Sequence, residues 1–187
     1  MPTNPLGVAL RNKRVGHEKL VWARPDLQAP ENFRLSSPAF EDGSPIPEQY
    51  RGRLFGHNVS PAINWTTPPN TTVELVLVVE DADSPFGSPN THGLAAGIDP
   101  ALSGLPRNGL TDSTPVGGPR LGKAGPRRGW FGPMPIRSHG PHAYVFQLFA
   151  LDRPLDLPAK FKLGTVLDAM SGHLVGRARF EGVSEKR

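Results

Sequence analysis

At 187 residues the chain is long enough for one domain with a real core and too short for several. It has no cysteine, which excludes disulfides, thiol catalysis and thiolate metal sites. Its 22 prolines and 21 glycines stop just short of a disordered composition, and a net charge of +4 leaves phosphates and acidic surfaces open as partners.

Residues 1–32 read as an N-terminal extension. Pro2, Pro5, Pro25 and Pro30 interrupt it, and Arg11, Lys13, Arg14, Lys19 and Arg24 make it basic. Its one apolar patch, Leu20–Trp22, suits an edge strand or a contact with a partner. It has no apolar run long enough for a signal peptide or a membrane span, so a cytoplasmic location is expected.

Residues 33–187 read as one domain. Phe33–Phe40 alternates weakly, and Glu41–Tyr50 is rich in turn formers. The segment NVSPAINW, 58–65, puts Ile63 and Trp65 on one face of a strand. After the turn at Pro68–Pro69–Asn70, Leu75–Val79 is apolar, β-branched and too short for a typical helix; it predicts a strand buried on both faces. Glu80, Asp81 and Asp83 follow at once, and Pro85, Gly87 and Pro89 then break the backbone. The strand is thus expected to deliver carboxylates to a loop, with His92 eleven residues beyond Asp81.

Leu94–Ile98 suits a short strand. Residues 99–129 are poor in apolar side chains and rich in glycine and proline, which predicts a long loop. A second basic cluster, from Arg107 to Arg137, lies mostly within it, with Asp112 its only acid. Solvated loop charge is the simpler reading of both clusters. His142–Leu151 predicts a second strong strand, with His142, Tyr144, Phe146 and Leu148 on one face. Leu163, Val166, Leu167, Met170 and Leu174 recur at helical spacing, and Thr165 with Asp168 resembles a capping box at the helix start. A final strand is expected near Arg177–Val183. The sum is a mainly β fold with a C-terminal helix.

Several chemistries lack their signatures. The chain has no G-x-S-x-G elbow, no Walker A loop and no G-x-G-x-x-G. Ser60 and Ser84 carry no local mark of an activated nucleophile. Aromatic residues are not interleaved with the basic clusters, so nucleic acid is not expected as a partner. His139 and His142 have H-x-x-H spacing, but residues three apart on a strand face opposite ways, which argues against a shared metal. Gly132–Pro133–Met134–Pro135 makes a stiff wall just before His142.

Three pieces occur in order: NVSPAINW at 58–65, the D-x-D-x-P of Asp81–Pro85 followed by His92, and GPMPIRSHGPHAYVFQLFAL at 132–151. Together they resemble the phosphatidylethanolamine-binding protein family, also called the Raf kinase inhibitor-like proteins, and its bacterial branch above all. The resemblance spans roughly residues 33–183 and leaves the extension outside. It implies an antiparallel β-sandwich with Greek-key topology and a helix near the C-terminus. It also implies a small pocket for phosphate, acetate or a phospholipid head group, formed by Asp81, His92, His142 and Tyr144 with Pro133 and Pro135 as its wall. Gly93, Trp130, Ile136 and Val183 depart from the family pattern, and the readings open for them are a wider pocket, a different ligand, or ordinary drift with compensating packing.

The function expected is binding of small anions or phospholipid head groups, with modulation of a partner protein. The alternatives are a kinase or protease inhibitor acting through its surface and, behind it, a small hydrolase. Neither a cofactor nor a metal is called for, and no catalytic residue is assigned. The expected partners are a phosphate-bearing small molecule or lipid head group, a kinase or protease, peripheral contact with a membrane, and a second copy in a homodimer. Charging of the histidines should strengthen binding as pH falls from about 7.5 to about 6.

Overall fold

The computed structural model describes residues 3–54, 56–111 and 118–186. Asp112 and the residues through 117 lie outside these. In chain order the elements are α1 (Pro5–Leu10), β1 (Leu35–Ser36), β2 (Ile63–Trp65), β3 (Glu74–Asp81), β4 (Asn90–Ile98), β5 (Gly104–Leu105), β6 (Arg120–Leu121), β7 (Lys123–Ala124), β8 (Arg127–Trp130), β9 (His142–Leu151), α2 (Leu163–Met170) and β10 (Leu174–Ser184). Single turns of 3₁₀-helix occupy His17–Lys19, Val21–Ala23, Pro25–Leu27 and Glu48–Tyr50.

β3 is buried along its whole length, as an apolar run of β-branched residues requires. It sits in the middle of the large antiparallel sheet, in the order β10-β9-β3-β4-β8-β7, with β6 also on β4. The chain runs from β3 to β4 to β8 and then returns as β9 on the far side of β3, which is a Greek-key connection. β1, β2 and β5 form a small sheet facing the large one.

Strand alternation sorts the core into two layers. Leu75, Leu77 and Val79 join Tyr144, Phe146 and Leu148 in the layer facing the small sheet, where Ile63 and Trp65 also lie. Val76 and Val78 join Val145 and Phe149 on the other face. That second face is covered by α2 and by Leu20, Val21, Trp22 and Leu27 of the N-terminal segment. Leu20–Trp22 is therefore neither an edge strand nor a patch left for a partner. Trp22 lies 6.1 Å from the Phe149 ring, under the Arg177 guanidinium at 4.1 Å, and Arg177 donates to the Trp22 carbonyl at 2.8 Å. Stacking by cation and ring fixes this segment on its own sheet.

Two local expectations change. Residues 99–129 are not one loop: four short strands lie in or across that stretch. Each is too short to give a periodic signal, and β7 and β8 close over Gly125–Pro126 as a tight hairpin. α2 starts at Leu163, with Lys162 as its N-cap and no side-chain cap, so Thr165 lies inside the helix. Packing of Val166, Leu167 and Met170 decides where it begins, not a capping box.

Candidate functional site

Asp81 ends β3 and pairs in register with Tyr144 of β9, so one sheet position brings the two strands' functional ends together. Alternation then puts His142 on the Tyr144 side. His142 Nδ1 lies 2.9 Å from Asp81 Oδ2 and 3.1 Å from Oδ1. His92, from β4, meets the Tyr144 ring edge-on at 4.9 Å, and the His142 ring stacks on Tyr144 at 6.4 Å. The four side chains form one niche and are almost fully enclosed: Asp81 and His92 are 3 % exposed, His142 1 % and Tyr144 0 %. Pro133 and Pro135 are buried beside it.

Glu80 is not delivered to the loop with Asp81. It points to the opposite face, where one oxygen accepts from Val21 N–H and from Gln147 Nε2, each at 2.9 Å. Desolvation raises its pKa above the ordinary 4.5. Asp83 remains at the rim, accepting from Arg14 and from Ala143 N–H at 2.7 Å.

His139 belongs to the site, contrary to the strand-spacing argument. Ser138 with φ of 64° and Gly140 with φ of 109° turn the chain before β9 begins, so His139 is not on the strand at all. Its Nδ1 lies 2.6 Å from His142 Nε2. Its Nε2 faces the Leu10 and Lys13 carbonyls at 2.9 and 3.2 Å. The Gly140–Pro141 dipeptide between the two histidines was the available sequence signal, because it breaks strand geometry.

The proton count of this chain follows from its bonds. A carbonyl accepts only, so His139 Nε2 carries a proton. A carboxylate accepts, so His142 Nδ1 carries one too. Between the rings, His139 Nδ1 and His142 Nε2 face each other at 2.6 Å. Burial first, and His142 second, lower the His139 pKa below 6.5.

His92 stands apart from that relay. Its Nδ1 donates to the Phe131 carbonyl at 2.6 Å. Burial lowers its pKa below 6.5, although Asp81 opposes the shift. A neutral ring with its proton on Nδ1 leaves Nε2 as an acceptor. Tyr144 is the complement. Burial, then Asp81, push its pKa well above 10, so the hydroxyl keeps its proton. The Met134 backbone offsets part of that shift without reaching hydrogen-bonding geometry, and the buried hydroxyl has no partner among the described residues.

The departures at Gly93 and Trp130 compensate each other. A Cβ on Gly93 would meet Val79 Cγ2 at 2.6 Å, and Trp130 lies 3.7 Å away on the neighbouring strand. The space at Gly93 is filled by these two side chains. Among the described residues no group of three or more His, Asp or Glu is placed to hold a metal ion.

The N-terminal segment closes the niche from outside. α1 rests on the loop before β9, where Asn4 N–H donates to Ser138 Oγ at 3.1 Å and a Cβ on Gly7 would collide with the Arg137 carbonyl. Arg14 donates to Asp83 at 2.6 Å and to the Pro141 carbonyl at 2.7 Å. Val15 and Gly16 donate to the Ser84 and Ala82 carbonyls at 3.1 and 2.8 Å.

A family profile described as phosphatidylethanolamine-binding protein matches residues 36–185. A Mycobacterium tuberculosis protein bearing the name lipoprotein LppC is 37% identical over 157 residues, 84% of this chain and 74% of its own. A UPF0098 protein of Methanothermobacter thermautotrophicus is 35% identical, covering 81% of this chain and 97% of its own. Among solved structures, a Chlamydia trachomatis homologue of phosphatidylethanolamine-binding protein superposes with a TM-score of 0.73 at 28% identity, over 83% of this chain and 98% of its own.

Proposed function

The chain belongs to the phosphatidylethanolamine-binding protein family, and from that premise we propose that it binds small oxyanions in the Asp81–His92–His142–Tyr144 niche. One observation carries the reading: the Tyr144 hydroxyl is a buried donor without a partner among the described residues. Leaving such a group unpaired costs about 1–3 kcal/mol, which an accepting ligand atom would recover. Beside it, His92 Nε2 offers an acceptor. The pair suits an oxyanion that keeps one proton, such as a phosphate monoester or monobasic phosphate. Pro133 and Pro135 supply a wall that competes for none of its bonds.

This reading alters the expected basis of pH dependence. Tighter binding below about pH 7 comes from protonation of the ligand and not from an imidazolium at His92. Calorimetric titration with phosphate and with sulfate separates the two. Phosphate should bind better, and Tyr144→Phe should weaken it by about tenfold, the loss of roughly one hydrogen bond. Equal binding of sulfate, which carries no proton at neutral pH, would refute the role given to His92.

The phospholipid head group, the modulated protein partner, the homodimer and the cytoplasmic location belong to the same proposal. Light scattering tests the dimer and cell fractionation the location. Surface inhibition of a kinase or protease is the alternative, and it would survive Tyr144→Phe.

A further inference from the structure

A second candidate site is a cleft whose lining shares no residue with the niche. We propose that the cleft between the β7–β8 hairpin and the start of α2 binds a soluble organic polyphosphate, an apolar or aromatic group bearing two or more phosphates. The cleft has a volume of about 920 Å³ and is lined by Arg53, Lys123, Arg127, Arg128, Lys160 and Lys162, with no acidic side chain among the described lining residues. A volume of that order suits a drug-sized ligand and is far larger than one phosphate needs.

Among the described residues none of these cations is paired with a carboxylate. Arg128 is spent on the Leu121 and Ala159 carbonyls, both at 2.9 Å, and so ties the hairpin to the segment before α2. Lys123 N–H adds a bond to the Phe161 carbonyl at 2.9 Å. These bonds fix the walls and leave the other five charges to the cleft. Like charges held in one concavity repel one another and focus a positive potential there.

α2 adds to that potential. Lys162 is its N-cap, with no side-chain acceptor, and its first turn holds no acid. Its N-terminal N–H groups and the positive end of its dipole are therefore left for an external anion. Apolar groups complete the recognition. The half-buried Val59 and the exposed Pro126 supply an apolar wall in the lining, while the Phe161 and Trp130 rings beneath it are 5 % and 1 % exposed. Both rings are too buried to serve as a platform for stacked bases, which argues against single-stranded nucleic acid. The cations also face a concavity and not the flat surface that a bilayer would meet.

The test is calorimetric titration of the whole chain with inorganic tripolyphosphate and with a nucleoside triphosphate. Both should bind, the nucleotide more tightly because it also meets the apolar wall. Lys123→Glu with Arg127→Glu should weaken both by about tenfold or more, and raising salt from about 50 to about 200 mM should weaken both in the unaltered chain. If that double variant melts early, Lys160→Gln with Lys162→Gln is read instead. Tyr144→Phe should leave both affinities unchanged, which separates this site from the niche. Undiminished binding in a folded charge variant would overturn the proposal. So would loss of binding in Tyr144→Phe, or binding confined to anionic vesicles or to an RNA oligonucleotide.

Discussion

Glu80 shows how one residue can act far from the chemistry beside it. It neighbours Asp81 in sequence, yet strand alternation sends it under the N-terminal segment, where it holds Val21 and Gln147. A carboxyl whose folded pKa is raised contributes stability that is complete below its ordinary 4.5 and is lost as pH rises through the raised value. Glu80→Gln keeps an oxygen for both bonds and removes the titration. Its melting temperature should match or exceed the parent's at about pH 8 and should decline less as pH rises from acid. A variant that loses as much at about pH 8 as at about pH 5 would show that the charge itself is required. Tyr144 is the opposite case, since its cost is visible in its own unsatisfied hydroxyl.

At the scale of elements, the site depends on how far strand geometry extends. β3 and β9 could be read from the sequence because each is a long apolar run buried on both faces, and their pairing brings Asp81 to Tyr144. His142 shared a face with Tyr144 by strand alternation. His139 was misjudged because the same rule was applied one turn too early, across Gly140–Pro141. The four short strands between residues 104 and 130 had no periodic signal to offer. The N-terminal segment was illegible for another reason. Its 3₁₀ turns have no apolar repeat, and what holds them is contact with distant residues such as Phe149 and Arg177. α1 is the element with least room. Gly7→Val should lift it from the Arg137 carbonyl, and His139 should then exchange its ring proton and react with diethylpyrocarbonate faster than in the parent chain. Equal reactivity would mean that α1 does not cover the relay.

For the whole molecule, stability should have two limbs in pH. His92 and His139 have folded pKa values below their ordinary 6.5, so the unfolded chain takes up protons first as pH falls. The stability tied to these rings is therefore lost from about pH 6.5 downward, while the opposing limb is Glu80, whose contribution is lost as pH rises from its ordinary 4.5 through the raised value. His92→Gln should soften the imidazole limb. A profile flat from about pH 7 to about pH 5 would mean that the imidazoles stay hydrated in the folded state. The sandwich itself was legible as a whole because two buried strands and one amphipathic helix dictate its layers. The basic cleft was not, since its cations come from three separate stretches of chain and only folding gathers them.

Ser138 receives both ends of the chain. Asn4 N–H donates to its hydroxyl, and its own N–H donates to the Lys186 carbonyl at 2.9 Å. Any polypeptide continuing past either point departs from beside the Asp81 niche. A purification handle, a lipid-bearing leader or an adjoining module would be moored at the same doorway, whichever end it was fused to.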